Sequence, residues 1–129
     1  MTLRMLVNAQ PHLNKVFERD FDDGLLAYKL SKVRAKILDE VQHFVDARNK
    51  YIRQHGKDGA IDQTDLEALQ KFDTFCQDML EAETELQFEP LFAVGDVGKN
   101  AKLGAQSSAV VGALVSVGLM ADGEGKGDG

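Results

Sequence analysis

From residue 26 the apolar positions Leu26, Leu30, Val33, Ile37, Val41, Phe44 and Tyr51 recur at steps of three and four, with Ala47 and Arg48 filling the one gap. That 3.6-residue period, with no Gly or Pro inside it, predicts one long amphipathic helix over about residues 23–55. Asp22 or Asp23 in the run DFDDG is placed to cap its free amides and to suit its dipole. Gly56 is placed to end it in the left-handed C′ conformation. A second period, Leu66, Leu69, Phe72, Phe75, Cys76, Met79 and Leu80, predicts a helix over about 64–83, opened by a Thr64/Glu67 capping box. The link GKDGAID is short, so the two helices are expected to run antiparallel as neighbours. The expected hairpin core is Leu30, Val33, Ile37, Val41, Phe44, Tyr51, Leu66, Leu69, Phe72, Cys76 and Met79.

The flanks read differently. Leu3, Leu6, Val7 and Leu13 suggest a short amphipathic N-terminal helix interrupted near Pro11. After residue 83 the period drops to two: Thr84, Leu86 and Phe88 alternate with Glu85, Gln87 and Glu89, which predicts a β-strand ended by Pro90. A lone strand needs a partner, in this chain or in a neighbouring subunit. Beyond residue 92 glycine recurs from Gly95 to Gly129 and large side chains are few. This predicts an extended Gly/Ala-rich arm with an apolar stretch, AVVGALVSVGLMA, and a flexible tail. The expected class is therefore mainly α, a hairpin domain over 1–92 followed by a small-residue arm and tail over 93–129. Deleting the arm is expected to leave helicity largely intact. The apolar residues of strand and arm, Leu86, Phe88, Leu91, Phe92, Val110, Val111, Leu114, Val115 and Leu119, are the interface candidates.

Charge sharpens this picture. Over 29–57, Lys29, Lys32, Arg34, Lys36, Arg48, Lys50, Arg53 and Lys57 outweigh Asp39, Glu40 and Asp46, a net of +5. Over 58–89 only Lys71 opposes ten carboxylates, a net of −9. Such segregation selects partner and direction more than it stabilises, since exposed pairs contribute roughly 0–1 kcal/mol each. It could also set the basic face of one copy against the acidic face of another. The overall charge of −6 and pI near 5.0 argue against nucleic acid as a partner.

Catalytic chemistry is not expected. His12, His43 and His55 are dispersed, and Cys76 on an apolar helix face reads as a small core residue rather than a nucleophile. Asp58-Gly59-Ala60-Ile61-Asp62 with Asp65 imitates half of a calcium loop. Aligned on Gly59, however, the first and third ligand positions fall on Gln54 and Gly56, so the oxygen set fails. No nucleophile elbow, phosphate loop or CxxC is present. No cofactor and no metal site is expected. The single cysteine suits a reducing compartment. The apolar stretch at 109–121 is short of the roughly 20 residues a membrane span needs, so a membrane partner is not expected either.

The segment AYKLSKVRAKILDEVQHFVDARNKYIRQHG, a short polar loop with DGAID, and an acidic helix closing on ETELQFEPL together resemble a family of small helical-hairpin proteins of tailed bacteriophages. The likeness rests on Ala27-Tyr28-Lys29-Leu30, on Phe44 with Ala47-Arg48, on Tyr51 before His55-Gly56, and on the alternating segment ending at Pro90. It spans about residues 13–92; residues 93–129 depart from it, and the loop is shorter than in many relatives. The resemblance implies a phage protein from the virion structure and assembly genes; with the charge segregation, the lone strand and the apolar arm, the expectation is a virion structural or accessory protein, a homo-oligomer with coiled-coil-like helices, assembled in the bacterial cytoplasm. Its partners would be copies of itself and other virion proteins in capsid, connector or tail. A transient head or tail assembly chaperone and an intracellular host-protein binder are the alternatives.

Overall fold

The computed structural model describes residues 1–121; the flexible tail expected in ADGEGKGDG lies, from residue 122 on, outside the described residues. Four helices run in the order α1 (Leu3–Phe17), α2 (Gly24–His55), α3 (Leu66–Leu80) and α4 (Ser108–Ser116), with a 3₁₀ turn at Val94–Asp96. The mainly helical class is as expected. The strand and the extended arm are not.

α1 is continuous through Pro11. Leu3, Leu6, Ala9, Leu13 and Val16 keep their helical spacing across the proline and are all buried. Burial of that stripe outweighs the missing backbone donor, and Pro11 itself faces solvent. Asp23 caps α2 by accepting from the amides of Leu25 (3.0 Å) and Leu26 (3.2 Å). Its far end differs from expectation: Gly56 is extended, not left-handed. The left-handed turn comes later, at Asp58 (φ 53°) and Gly59 (φ 80°), between paired backbone groups of Lys57 and Ala60. Two successive positive φ values in a two-residue loop are the pattern of a type I′ turn. α3 is capped by Asp65, whose carboxylate accepts from Ala68 N at 3.1 Å, rather than by Thr64. Thr64 is held instead by Asp62, which accepts from both its amide and its hydroxyl.

The core lies at one end of the molecule. Leu6, Ala9, Leu13 and Val16 of α1 meet Leu26, Leu30, Val33 and Ile37 of α2, together with Phe92, Leu103, Val110, Ala113, Leu114, Val117, Leu119 and Met120. The segment expected to be an arm thus supplies seven of the sixteen residues of this cluster, and a boundary after residue 92 would cut through it. The reason is composition: AVVGALVSVGLMA is too apolar to stay in water, and its small residues let α4 approach α1 closely at Ala9 and Ala113. Ser107 caps α4 by accepting from Val110 N.

Residues 84–92 are extended but form no strand ladder. They are clipped at both ends, by Thr84 N to Met1 O (2.8 Å) and by Leu91 N and Phe92 N to Leu119 O (2.8 and 3.0 Å). Between the clips Leu86 and Phe88 rest on the core, while Glu85, Gln87 and Glu89 face water. A period of two marks an extended chain with one face covered, and a core covers that face as well as a sheet does. The partner the segment needed is therefore within the chain.

Candidate functional site

Beyond Val41 α2 leaves the core, and α3 lies outside it. Tyr51 meets Phe75 at 4.4 Å and Phe72 at 5.7 Å between ring centroids. Antiparallel geometry then sets Leu80 level with about Phe44, at 1.5 Å of rise per residue. α3 therefore lies beside the distal half of α2 only. Its C-terminal end is tied to the base by Arg4 of α1, which donates to Gln77 and, at 3.3 Å, to Glu81. Leu3 N also donates to Ala82 O at 2.9 Å.

This hairpin is thinly packed. No residue of α3 is fully buried, and the buried residues of α2 stop at Ile37. Val41, Phe44, Tyr51, Leu69, Phe72, Cys76 and Met79, expected as hairpin core, are half-buried. Leu66, expected with them, is 74% exposed. Leu30, Val33 and Ile37 are buried, but in the base against α1 and the C-terminal segment rather than against α3. Ile61 in the connecting loop closes the tip at 5% exposure, and no periodicity could have flagged it. The aromatic contacts across the seam are those of Tyr51 with Phe72 and Phe75; along α2 itself Tyr51 also meets His55 at 4.3 Å, and the Arg48 guanidinium lies 6.0 Å from the Phe44 ring. On the flank, Leu38 is 45% exposed.

The interface candidates read from sequence are mostly internal. Phe92, Val110, Leu114 and Leu119 are buried in the chain's own core, and Leu86, Phe88, Leu91 and Val111 are half-buried against it. Val115 alone is exposed, at 38%.

A second surface was not singled out from sequence. Between the proximal part of α2 and the extended segment runs a groove of about 270 Å³, lined by Tyr28, Lys29, Lys32, Lys36, Phe88 and Leu91 among others. Lys29 pairs with Glu89 at 3.7 Å, and Lys32 lies 5.4 Å from the centre of the exposed Tyr28 ring. The legible signal was there, since lysines three and four apart share a helix face.

Burial pushes the Cys76 thiol up, with Arg48 nearby pulling the other way. The Thr64 hydroxyl and amide hold the Asp62 carboxyl below its usual range. Among the described residues no three His, Cys, Asp or Glu side chains are grouped to hold a metal ion, and no helix is long and apolar enough to cross a membrane. Compared with known proteins, the chain matches no family model, no curated protein and no solved structure.

Proposed function

We propose that this chain is a non-enzymatic assembly protein whose helical base carries a hairpin that docks onto other protein subunits. One observation carries the reading. The whole of α3, and α2 beyond Ile37, bury none of their side chains fully, although both helices carry long apolar stripes. Two helices alone cannot cover such stripes, and helices hold their structure chiefly by packing an amphipathic face. A partner subunit supplies the missing layer.

The resemblance to tailed-bacteriophage hairpin proteins gives this docking a setting: a virion structural or accessory protein, assembled in the bacterial cytoplasm and acting through symmetric contacts in capsid, connector or tail. The charge split between α2 and α3 supports directed contacts with protein rather than nucleic acid. Mass spectrometry of purified particles tests the setting, with the chain expected among the virion proteins. Absence from mature particles but presence in assembly intermediates would instead mark a transient chaperone. Recovery with a single host protein and no particle signal would refute both.

A further inference from the structure

Residues 84–92 have one face covered by the core, but one of their edges is open. The amides of Glu85, Gln87, Phe88 and Glu89 donate no hydrogen bond among the described residues, and the carbonyls over 85–91 accept none. Successive residues of an extended chain turn these groups to opposite edges. Phe88 O is turned towards the C-terminal segment, where a Cβ at Gly118 would lie 3.4 Å from it. The amides and carbonyls of Gln87 and Glu89 therefore face the other way, into the groove beside α2. On the far wall Lys29, Lys32 and Lys36, at i, i+3 and i+7, share one face of the helix. Glu89 is the one carboxylate in the lining and meets Lys29 at 3.7 Å, an exposed pair that holds weakly. Lys32 and Lys36 form no ion pair among the described residues. Val33, Phe88 and Leu91 make an apolar floor, and Tyr28 stands 60% exposed at the rim.

We propose that this groove binds an extended acidic peptide of a partner protein, which adds as a strand beside residues 85–89. Only a polypeptide offers the alternating donors and acceptors that the open edge lacks, and an acidic one suits the two unpaired lysines. Strand addition lays alternate side chains of the peptide on the apolar floor and turns the others outward, towards Lys32 and Lys36. The occupant is not the same segment of a second copy. Paired antiparallel about Gln87, that segment would set Glu85 opposite Glu89, and like charges there are destabilising. The outward glutamates thus guard the edge against self-pairing. The site lies on the base, so it goes beyond the hairpin docking proposed above and does not depend on it.

Titration of the full chain with synthetic peptides tests the site. A capped octapeptide alternating glutamate and valine should bind in low salt with a Kd below about 1 mM. Binding should weaken in roughly 1 M salt, where the Debye length falls to about 3 Å. In amide-resolved NMR the largest shifts should fall on Gln87 and Glu89. The same peptide N-methylated throughout, and one with lysine in place of glutamate, should each bind at least about tenfold more weakly. In the chain, Lys32→Glu/Lys36→Glu reverses the charge and Gln87→Pro removes an amide donor; each should lower affinity at least about tenfold. All three positions are exposed, so the circular dichroism of both variants should match the native chain. Should Gln87→Pro misfold, the N-methylated peptide still reads the backbone pairing. Absence of binding by the acidic peptide at concentrations above that Kd overturns the proposal, as does equal binding by its N-methylated form. Single-stranded DNA of equal charge that binds more tightly at the same residues overturns it too, and would make the groove a nucleic-acid contact.

Discussion

At the connecting loop, two glycines answer to different constraints. A Cβ at Gly56 would overlap the carbonyl oxygens of Ala60 and Ile52, both of them backbone atoms that cannot step aside. Gly59 has open space around it but sits at φ 80°. Gly59→Ala should therefore cost about 1–2 kcal/mol, the usual penalty for an L-residue held left-handed. Gly56→Ala should cost more, because the turn itself has to move. Denaturant titration of both variants checks the order, and equal costs would refute the steric account. Asp62 offers a pH test in the same loop. Its folded pKa is lowered by Thr64, so its contribution is present above the unfolded value and fades as pH falls through the folded one. Asp62→Asn should thus lower stability at neutral pH and shrink the loss between neutral and acid. Thr64→Val, which removes the hydroxyl donor, should shrink it too. Cys76 carries the opposite sign: burial raises its pKa, so its contribution is lost as pH rises past the unfolded thiol value. Its labelling by a thiol reagent near pH 8 should be slower in the folded chain than in the unfolded one.

Between elements, depth of packing separates base from hairpin. Leu114 is fully buried in α4, and Leu114→Ala should cost about 2–5 kcal/mol. Phe72 in α3 is larger but half-buried, so Phe72→Ala should cost less than Leu114→Ala despite removing more atoms. Thermal melts of the two variants decide this; a larger loss at Phe72 would mean that the hairpin seam is tighter than the structure places it. Amide exchange should follow the same division, with α3 and the distal half of α2 opening at lower free energy than α1 and the proximal half. The periodicity of α2 was legible throughout, because 3.6-residue spacing depends only on the helix. What the spacing could not say is that one stripe serves two purposes, packing into a core up to Ile37 and only half-covered beyond it.

For the whole molecule, the C-terminal segment decides whether there is a fold. Truncation after residue 92 removes Leu103, Val110, Leu114, Val117, Leu119 and Met120 from the core. It should abolish the cooperative melting transition and most of the helicity seen by circular dichroism. A truncated chain that keeps its helicity and melting point would mean that α1 and α2 suffice without the segment. The segment expected as an extended arm is helical and packed for a physical reason. Frequent glycine and alanine read as flexibility, whereas here the small residues allow close helix packing around a few fully buried aliphatic side chains.

The sequence alone determined the mainly helical class, the long α2 with an aspartate cap in DFDDG, the existence of α3 and the separation of charge, all of which follow from local spacing. Tertiary structure decided the rest. It carried α1 through Pro11 because a buried stripe outweighs one missing hydrogen bond. It made residues 84–92 a covered extended segment rather than a strand, because period two cannot tell a core from a sheet. It also turned the supposed arm into core, and it brought Lys29, Lys32 and Lys36 beside Phe88 and Leu91. Contacts between residues this far apart in the chain follow from which apolar surfaces find one another, and no local pattern encodes that choice.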